Sequence, residues 1–241
     1  IQPGDVFLLN APYNGGTHLP DLTVVTPVFD DAEAEILFYV ASRGHHADIG
    51  GMAPGSSTPR ATHIDEEGVL IDNFKLIERG KFREAEICAL LTDHPWPARN
   101  PEQNLADLRA QIAANEKGVA ELRKMVEHFG LNIVRAYMQH VQDNAEESVR
   151  RVIDSLKDCE ADYPTDTGQT IKVSIRVDRD SREAIVDFTG TSPAAKNNFN
   201  APEPVTRAAV LYVFRLMVEK NIPMNAGCLK PIRIIVPEGS M

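Results

Sequence analysis

Several classes of function are excluded by what this 241-residue sequence has little of. It holds only three cysteines, Cys88, Cys159 and Cys228, widely separated and odd in number. No CxxC pair occurs, so neither a disulfide framework nor a cysteine zinc site is suggested, and reduced thiols in a cytoplasmic protein are the expectation. Basic residues are few, 25 Lys and Arg against 35 Asp and Glu, for a formal net charge of −10. Neutralising phosphates needs clustered cations, which argues against nucleic acid as a main partner. No apolar run reaches the about 18 residues of a membrane span, and no basic-then-apolar leader opens the chain. GxxxxGK[ST], a GxGxxG between strand and helix, and GxSxG are all missing. If the reaction consumes ATP, another chain or segment must supply the phosphate cradle.

What is present is apolar content of 43%, enough for a sizeable core, over 241 residues, a length for one large domain or two small ones. Residues 5–10, 22–29, 35–42 and 69–77 read as short strands. Residues 43–63, "RGHHADIGGMAPGSSTPRATH", read as an ordered loop dense in Gly, Pro and Ser. After "HPWPARNP" the period changes. Leu105, Leu108, Ile112, Val119, Leu122, Val126 and Phe129 mark the face of an amphipathic helix, and Gly130 is its natural stop. Val134, Met138, Val141, Ala145, Val149, Val152 and Leu156 mark a second, so an antiparallel helical hairpin is predicted. Ile171, Val173, Ile175 and Val177 alternate as a half-buried strand. "DRDSRE" turns the chain and "AIVDFTG" returns it. Residues 205–219 read as a helix and 229–236 as a final strand. No internal repeat is seen. The order predicts an α+β fold in three regions: a β-rich part with loops at 1–98, the helical hairpin at 99–158, and strands plus a helix at 159–241. The opening "IQPGDVFLLN", without an initiator Met, and the strand-like close predict an internal piece of a longer protein.

Two loops carry the densest chemistry, "GGTHLPD" and "RGHHADIGG". The first places His18 and Asp21 three apart where the glycines and Pro20 rule out a helix. The second adds His45, His46 and Asp48. Imidazole nitrogen and carboxylate oxygen suit a divalent transition metal such as Zn, Mn or Fe, and three protein ligands leave a position open. Both loops adjoin predicted strands whose pairing can bring them together, and the glycines permit close backbone approach. Taken singly, each histidine reads as a turn cap or a surface residue. Successive side chains of an extended segment point to opposite faces, so His45 and His46 are expected to do different jobs. In "NNFN", the amides of Asn197, Asn198 and Asn200 could orient a polar substrate, although Asx-turn chemistry explains them at least as well. In "DLRAQIAANEKG", Arg109, Gln111 and Asn115 read by pattern as a solvated helix face. Glu66 and Glu67 read as a turn, and Cys88 in "EICALL" as core.

Taken jointly and in order, "GDVFLLNAPYNGGTHLPDLTVVTPVF", "RGHHADIGGMAPGS", "NLADLRAQIAAN", "VQDNAEESVR", "DFTGTSPAAKNNFN" and "NAGCLKPIRIIVPEGS" resemble the hydantoinase B and 5-oxoprolinase family over nearly the whole chain. Subunits of acetone and acetophenone carboxylases are built on a similar chain. The resemblance implies a metal-dependent subunit of an ATP-dependent cyclic amidohydrolase in a hetero-oligomer. Its substrate would be a lactam or hydantoin activated by a hydantoinase A-type ATPase partner, which uses the ATP. It implies His18, Asp21 and His45 as metal ligands and His46 with Asp48 as catalytic groups. Arg109 is then expected to project toward the metal loops and bind a phosphate or a loop carboxylate, with Asn197, Asn198 and Asn200 as further substrate contacts. A ketone carboxylase subunit and a non-catalytic scaffold subunit are the alternatives. "PGSSTP" departs from the family's more usual "PGSMPP", which bears on pocket shape.

Overall fold

The structure, a computed structural model, describes residues 1–241 throughout and divides into two compact units, Ile1–His128 and Phe129–Met241. Each combines helices with a sheet, as expected of an α+β chain.

In the first unit, Val6–Leu9 (β1), Asp21–Phe29 (β2), Ile36–His45 (β3), Phe74–Glu78 (β4) and Lys81–Phe82 (β5) form one sheet in the order β3-β2-β1-β4-β5. Every pairing in it is antiparallel. One face is apolar because the strands alternate: Val6 and Leu8 of β1 are buried while Phe7 and Leu9 are only half-buried. Two helices, Glu84–Thr92 (α1) and Pro101–Phe129 (α2), share a core with that face. Leu8, Leu22, Val24 and Leu76 cluster there with Ile87, Leu91, Leu105 and Leu108. Each such side chain contributes about 1.5–3 kcal/mol on full burial, which is what holds α2 to the sheet. The strand expected over 69–77 begins only at Phe74. Val69 and Ile71 are buried without strand pairing, their amides donating to the Ile49 carbonyl and Asn10 Oδ1. Burial alone produced their strand-like signal. Cys88 packs against this core, as expected.

The second unit holds Leu131–Ser155 (α3), Cys159–Pro164 (β6), Thr170–Asp178 (β7), Glu183–Asp187 (β8), Glu203–Leu216 (α4) and Ile232–Ile235 (β9). The sheet order is β6-β7-β8-β9. Its last pair is parallel, with α4 in the crossover that parallel strands need. Ala145, Val149 and Ile153 of α3 pack with Ala184, Val186 and Phe214. The two long helices part at Gly130 as predicted, where φ is +83°. Segment 99–158 is nonetheless shared between the units, because α2 buries its stripe in the first core and α3 in the second. β6 gave no signal in the sequence because all six of its residues are exposed. No helix is long and apolar enough to cross a membrane.

Candidate functional site

The β2–β3 register places Asp21 opposite His45 and Thr23 opposite Arg43. Directly opposed residues share a face of the sheet. Ala41, Arg43 and His45 are exposed, while the intervening Ser42, Gly44 and His46 turn toward α2. On the outward face the His45 Nδ1–H donates to Asp21 Oδ1 at 2.8 Å. The loop ahead of β2 brings in His18, whose ring stacks on that of His45 with centroids 5.6 Å apart and planes at 27°. The sequence dictates this loop. A Cβ on Gly16 would lie 2.0 Å from the Asn10 carbonyl oxygen, so only glycine fits. Asn10 is fully buried, donates to the Leu19 and Val69 carbonyls and accepts from the Ile71 amide. The Thr17 hydroxyl donates to Asp21 Oδ2 at 3.3 Å. Arg43, which the sequence reading passed over, donates to Thr23 Oγ1, Thr17 Oγ1 and the Gly15 carbonyl. The structure therefore brings His18, Asp21 and His45 together, as the two-loop reading expected.

Partial burial holds the His18 pKa below its ordinary value of 6.5; the nearby His45 adds to this and Asp21 opposes it. With Nδ1–H given to Asp21, a neutral His45 keeps its lone pair on Nε2. That is the arrangement of metal-ligating histidines, which donate their other N–H to a carboxylate. No three His, Cys, Asp or Glu side chains stand in ion-holding geometry, and Asp21 Oδ1 is spent on His45. The donor set fits a divalent transition metal in its chemistry. A direct ligand role for Asp21 requires its carboxylate to turn off His45.

The inward face is closed. His46 is 1% exposed. Asn104 Nδ2 donates to His46 Nδ1 at 3.1 Å and to the Asp48 carbonyl at 2.9 Å. His46 Nε2–H then donates to Gln111 Oε1 at 3.1 Å, which fixes the tautomer. Gln111 Nε2 continues to the Leu22 carbonyl, and Asn115 Nδ2 to that of Val24. Gly44 permits this approach, since a Cβ there would lie 3.1 Å from the Gln111 amide carbon. Asn104 Oδ1 is buried without a partner. Burial pushes the His46 pKa down, while Gln111 and Asp107 act the other way.

The family model for hydantoinase B/oxoprolinase matches residues 1–241, the whole chain. The chain belongs to that family. It is 44% identical over 265 residues to 5-oxoprolinase 1 of Arabidopsis thaliana, covering 100% of this chain and 21% of that protein. The chain thus spans about a fifth of the length of the curated 5-oxoprolinases it matches. The ATP-dependent caprolactamase of Pseudomonas jessenii superposes with a TM-score of 0.82 at 28% identity, over 100% of this chain and 42% of that one. Acetone carboxylase superposes with a TM-score of 0.84 at 16% identity, over 100% and 33%, a likeness of fold.

Within this family member, five expectations change. His46 has no ring nitrogen free and almost no exposure, so it is an anchor between sheet and helix rather than a group positioned to exchange protons with a substrate. Asp48 is likewise engaged. Burial opposes its ionisation, but the amides of Arg99, Gly50 and Gly55 and the Arg99 side chain outweigh that and hold its pKa low. It ties its own loop together. Arg109 does not reach the loops; it pairs with Glu84 at 2.7 Å and lies over the Phe82 ring. Two positions along a helix is a rotation of about 200°, so Gln111, not Arg109, faces β2–β3. The solvated-face reading of Gln111 and Asn115 is overturned too, because both are buried and bond strand carbonyls. In the second unit, Asn197 Oδ1 accepts from the Phe199 amide, and Asn200 bonds both the amide and the carbonyl of Ala195. These are loop-closing turns, and Asn198 lies between them. Three buried amides on one helix stripe, at positions 104, 111 and 115, were the available signal for the inner face.

Proposed function

We propose that this chain forms the metal-dependent part of an ATP-dependent cyclic amide hydrolase of the hydantoinase B/5-oxoprolinase type. The observation that carries this reading is the convergence of His18, Asp21 and His45 on one exposed sheet face. Membership of the hydantoinase B/oxoprolinase family supports a cyclic amide over other substrates. His18 and His45 would hold a divalent transition metal (Zn, Mn or Fe), with Asp21 as third ligand or as the carboxylate that orients His45. Such an ion supplies Lewis-acid polarisation of an oxygen. The residues do the rest. Asp21 keeps His45 Nδ1 protonated and its Nε2 pointed outward. The depressed pKa of His18 keeps that ring neutral and able to donate its lone pair at neutral pH. Exposure of His45, 61% of its side chain, leaves room for a substrate activated elsewhere. ATP use would fall to a hydantoinase A-type part, either a partner chain in a hetero-oligomer or another segment of a longer protein, since this chain carries no phosphate-cradling motif and spans about a fifth of its 5-oxoprolinase relatives. The structural likeness to a lactamase at 28% identity favours a lactam over a ketone, since the likeness to acetone carboxylase at 16% speaks for fold alone. The test is ATP-dependent ring opening of 5-oxoproline, a hydantoin and caprolactam by the full-length protein with its partner, with and without a chelator. Ring opening that survives full metal removal, or ATP turnover that needs a ketone and bicarbonate instead, overturns the reading.

A further inference from the structure

We propose that Arg43 is the positioning residue of this site. It fastens loop 15–18 to β3 and, through Thr17, sets the direction of the Asp21 carboxylate. The inference about the loop stands on the geometry, and its consequence for metal binding rests on the reading above.

Arg43 lies on the same face of β3 as His45, two residues away, and opposite Thr23 of β2. Its guanidinium reaches three acceptors in two separate segments. Nε donates to Thr23 Oγ1 at 2.8 Å, and the two terminal nitrogens donate to Thr17 Oγ1 at 3.2 Å and the Gly15 carbonyl at 2.8 Å. Only a planar fork serves three such directions at once; a lysine ammonium on a flexible stem does not. The contact to Thr17 also sets a polarity. A threonine hydroxyl has one proton. Because Arg43 donates into Thr17 Oγ1, that proton goes to Asp21 Oδ2. Asp21 Oδ1 is thereby left toward His45. Donation runs from Arg43 through Thr17 into Asp21, and His45 donates into the same carboxylate from the other side; with His18, which the same loop carries, these groups aim the outward face.

The full-length protein carrying Arg43→Lys, Thr17→Val, Thr17→Ser or the Lys/Val pair provides the test. Hydrogen exchange by mass spectrometry is read in peptides over 12–22 and 35–42, and Mn²⁺ and Zn²⁺ affinities by competition with a chelator. Arg43→Lys is expected to speed exchange in 15–21 while leaving 35–42 unchanged, and to weaken metal binding by about 10–100-fold, as loss of supporting contacts around metal ligands does. Thr17→Val should weaken the metal to a similar degree, and Thr17→Ser should restore it. The pair should be no worse than the worse single change, because both act through one chain of bonds. Unchanged exchange and affinity in Arg43→Lys, opening of both peptides alike, or fully additive losses would overturn the proposal. If the unaltered protein takes up neither metal, the metal reading fails. Exchange in 15–21 then decides on Arg43 alone: confined opening supports it and none refutes it.

Discussion

The outward face of β2–β3 and its inward face are built from the same two strands and carry opposite chemistry. Outward stand His18, Asp21, Arg43 and His45, exposed or half-exposed: His45 donates to Asp21, His18 stacks on His45, and Arg43 reaches Asp21 through Thr17. Inward stand Leu22, Val24 and His46, sealed by Asn104, Gln111 and Asn115 of α2. Two adjacent histidines are thus divided by the pleat into one that can meet a ligand and one that cannot. Polar residues mean different things on the two faces. On the open face a bond between side chains aims a group, whereas on the closed face an amide bonded to a strand carbonyl removes a burial penalty.

The comparison breaks first, and most severely, at His45. His45→Ala should lower turnover of the full complex by about 1,000-fold, roughly 4 kcal/mol of transition-state stabilisation. It should shift the unfolding free energy by less than about 1 kcal/mol, because the pair with Asp21 is exposed. Steady-state kinetics beside urea denaturation check both. His46→Ala should behave in reverse. Removing the ring opens a cavity and leaves buried amide atoms of Asn104 and Gln111 unpaired, a loss of about 2–4 kcal/mol seen as an earlier denaturation midpoint.

A smaller effect is expected from pH. The folded-state pKa of His46 is depressed below 6.5, so as pH falls through 6.5 the unfolded chain takes up the proton first. Its contribution to stability is therefore whole above that value and is lost progressively as pH falls toward the folded pKa, with a slope of at most about 1.4 kcal/mol per pH unit for one proton. His18 acts in the same sense. Thermal unfolding followed across roughly pH 5–8, where histidine changes charge, should show the slope, and His46→Gln should flatten it. The smallest effect belongs to Arg109. Arg109→Ala should change stability by less than about 0.5–1 kcal/mol and leave turnover unaltered, as its partner Glu84 is half-exposed.

Much of this was legible in the sequence, and the failures have physical causes. The strand at β1, the alternation of β7, the stripe of α2 and the stop at Gly130 follow from composition, periodicity and glycine chemistry, and the structure keeps them. The convergence of His18, Asp21 and His45 was readable because both loops adjoin strands that pair. The inner face was not, since Gln111 and Asn115 look like surface residues until strand carbonyls are known to lie beneath them. Arg109 was misassigned because a motif of consecutive letters conceals a 100° turn per residue. Arg43 was missed because its three acceptors come from residues 15, 17 and 23, a closeness that only the antiparallel register creates.

The measurement that bears most directly on the central claim is the metal content of the folded, full-length protein in three forms: unaltered, His45→Ala and His46→Gln. The account predicts a transition metal bound in the unaltered protein and in the folded fraction of His46→Gln, and its loss in His45→Ala. Equal metal loss in both variants, or retention in His45→Ala, would contradict the division of the two faces on which the account rests.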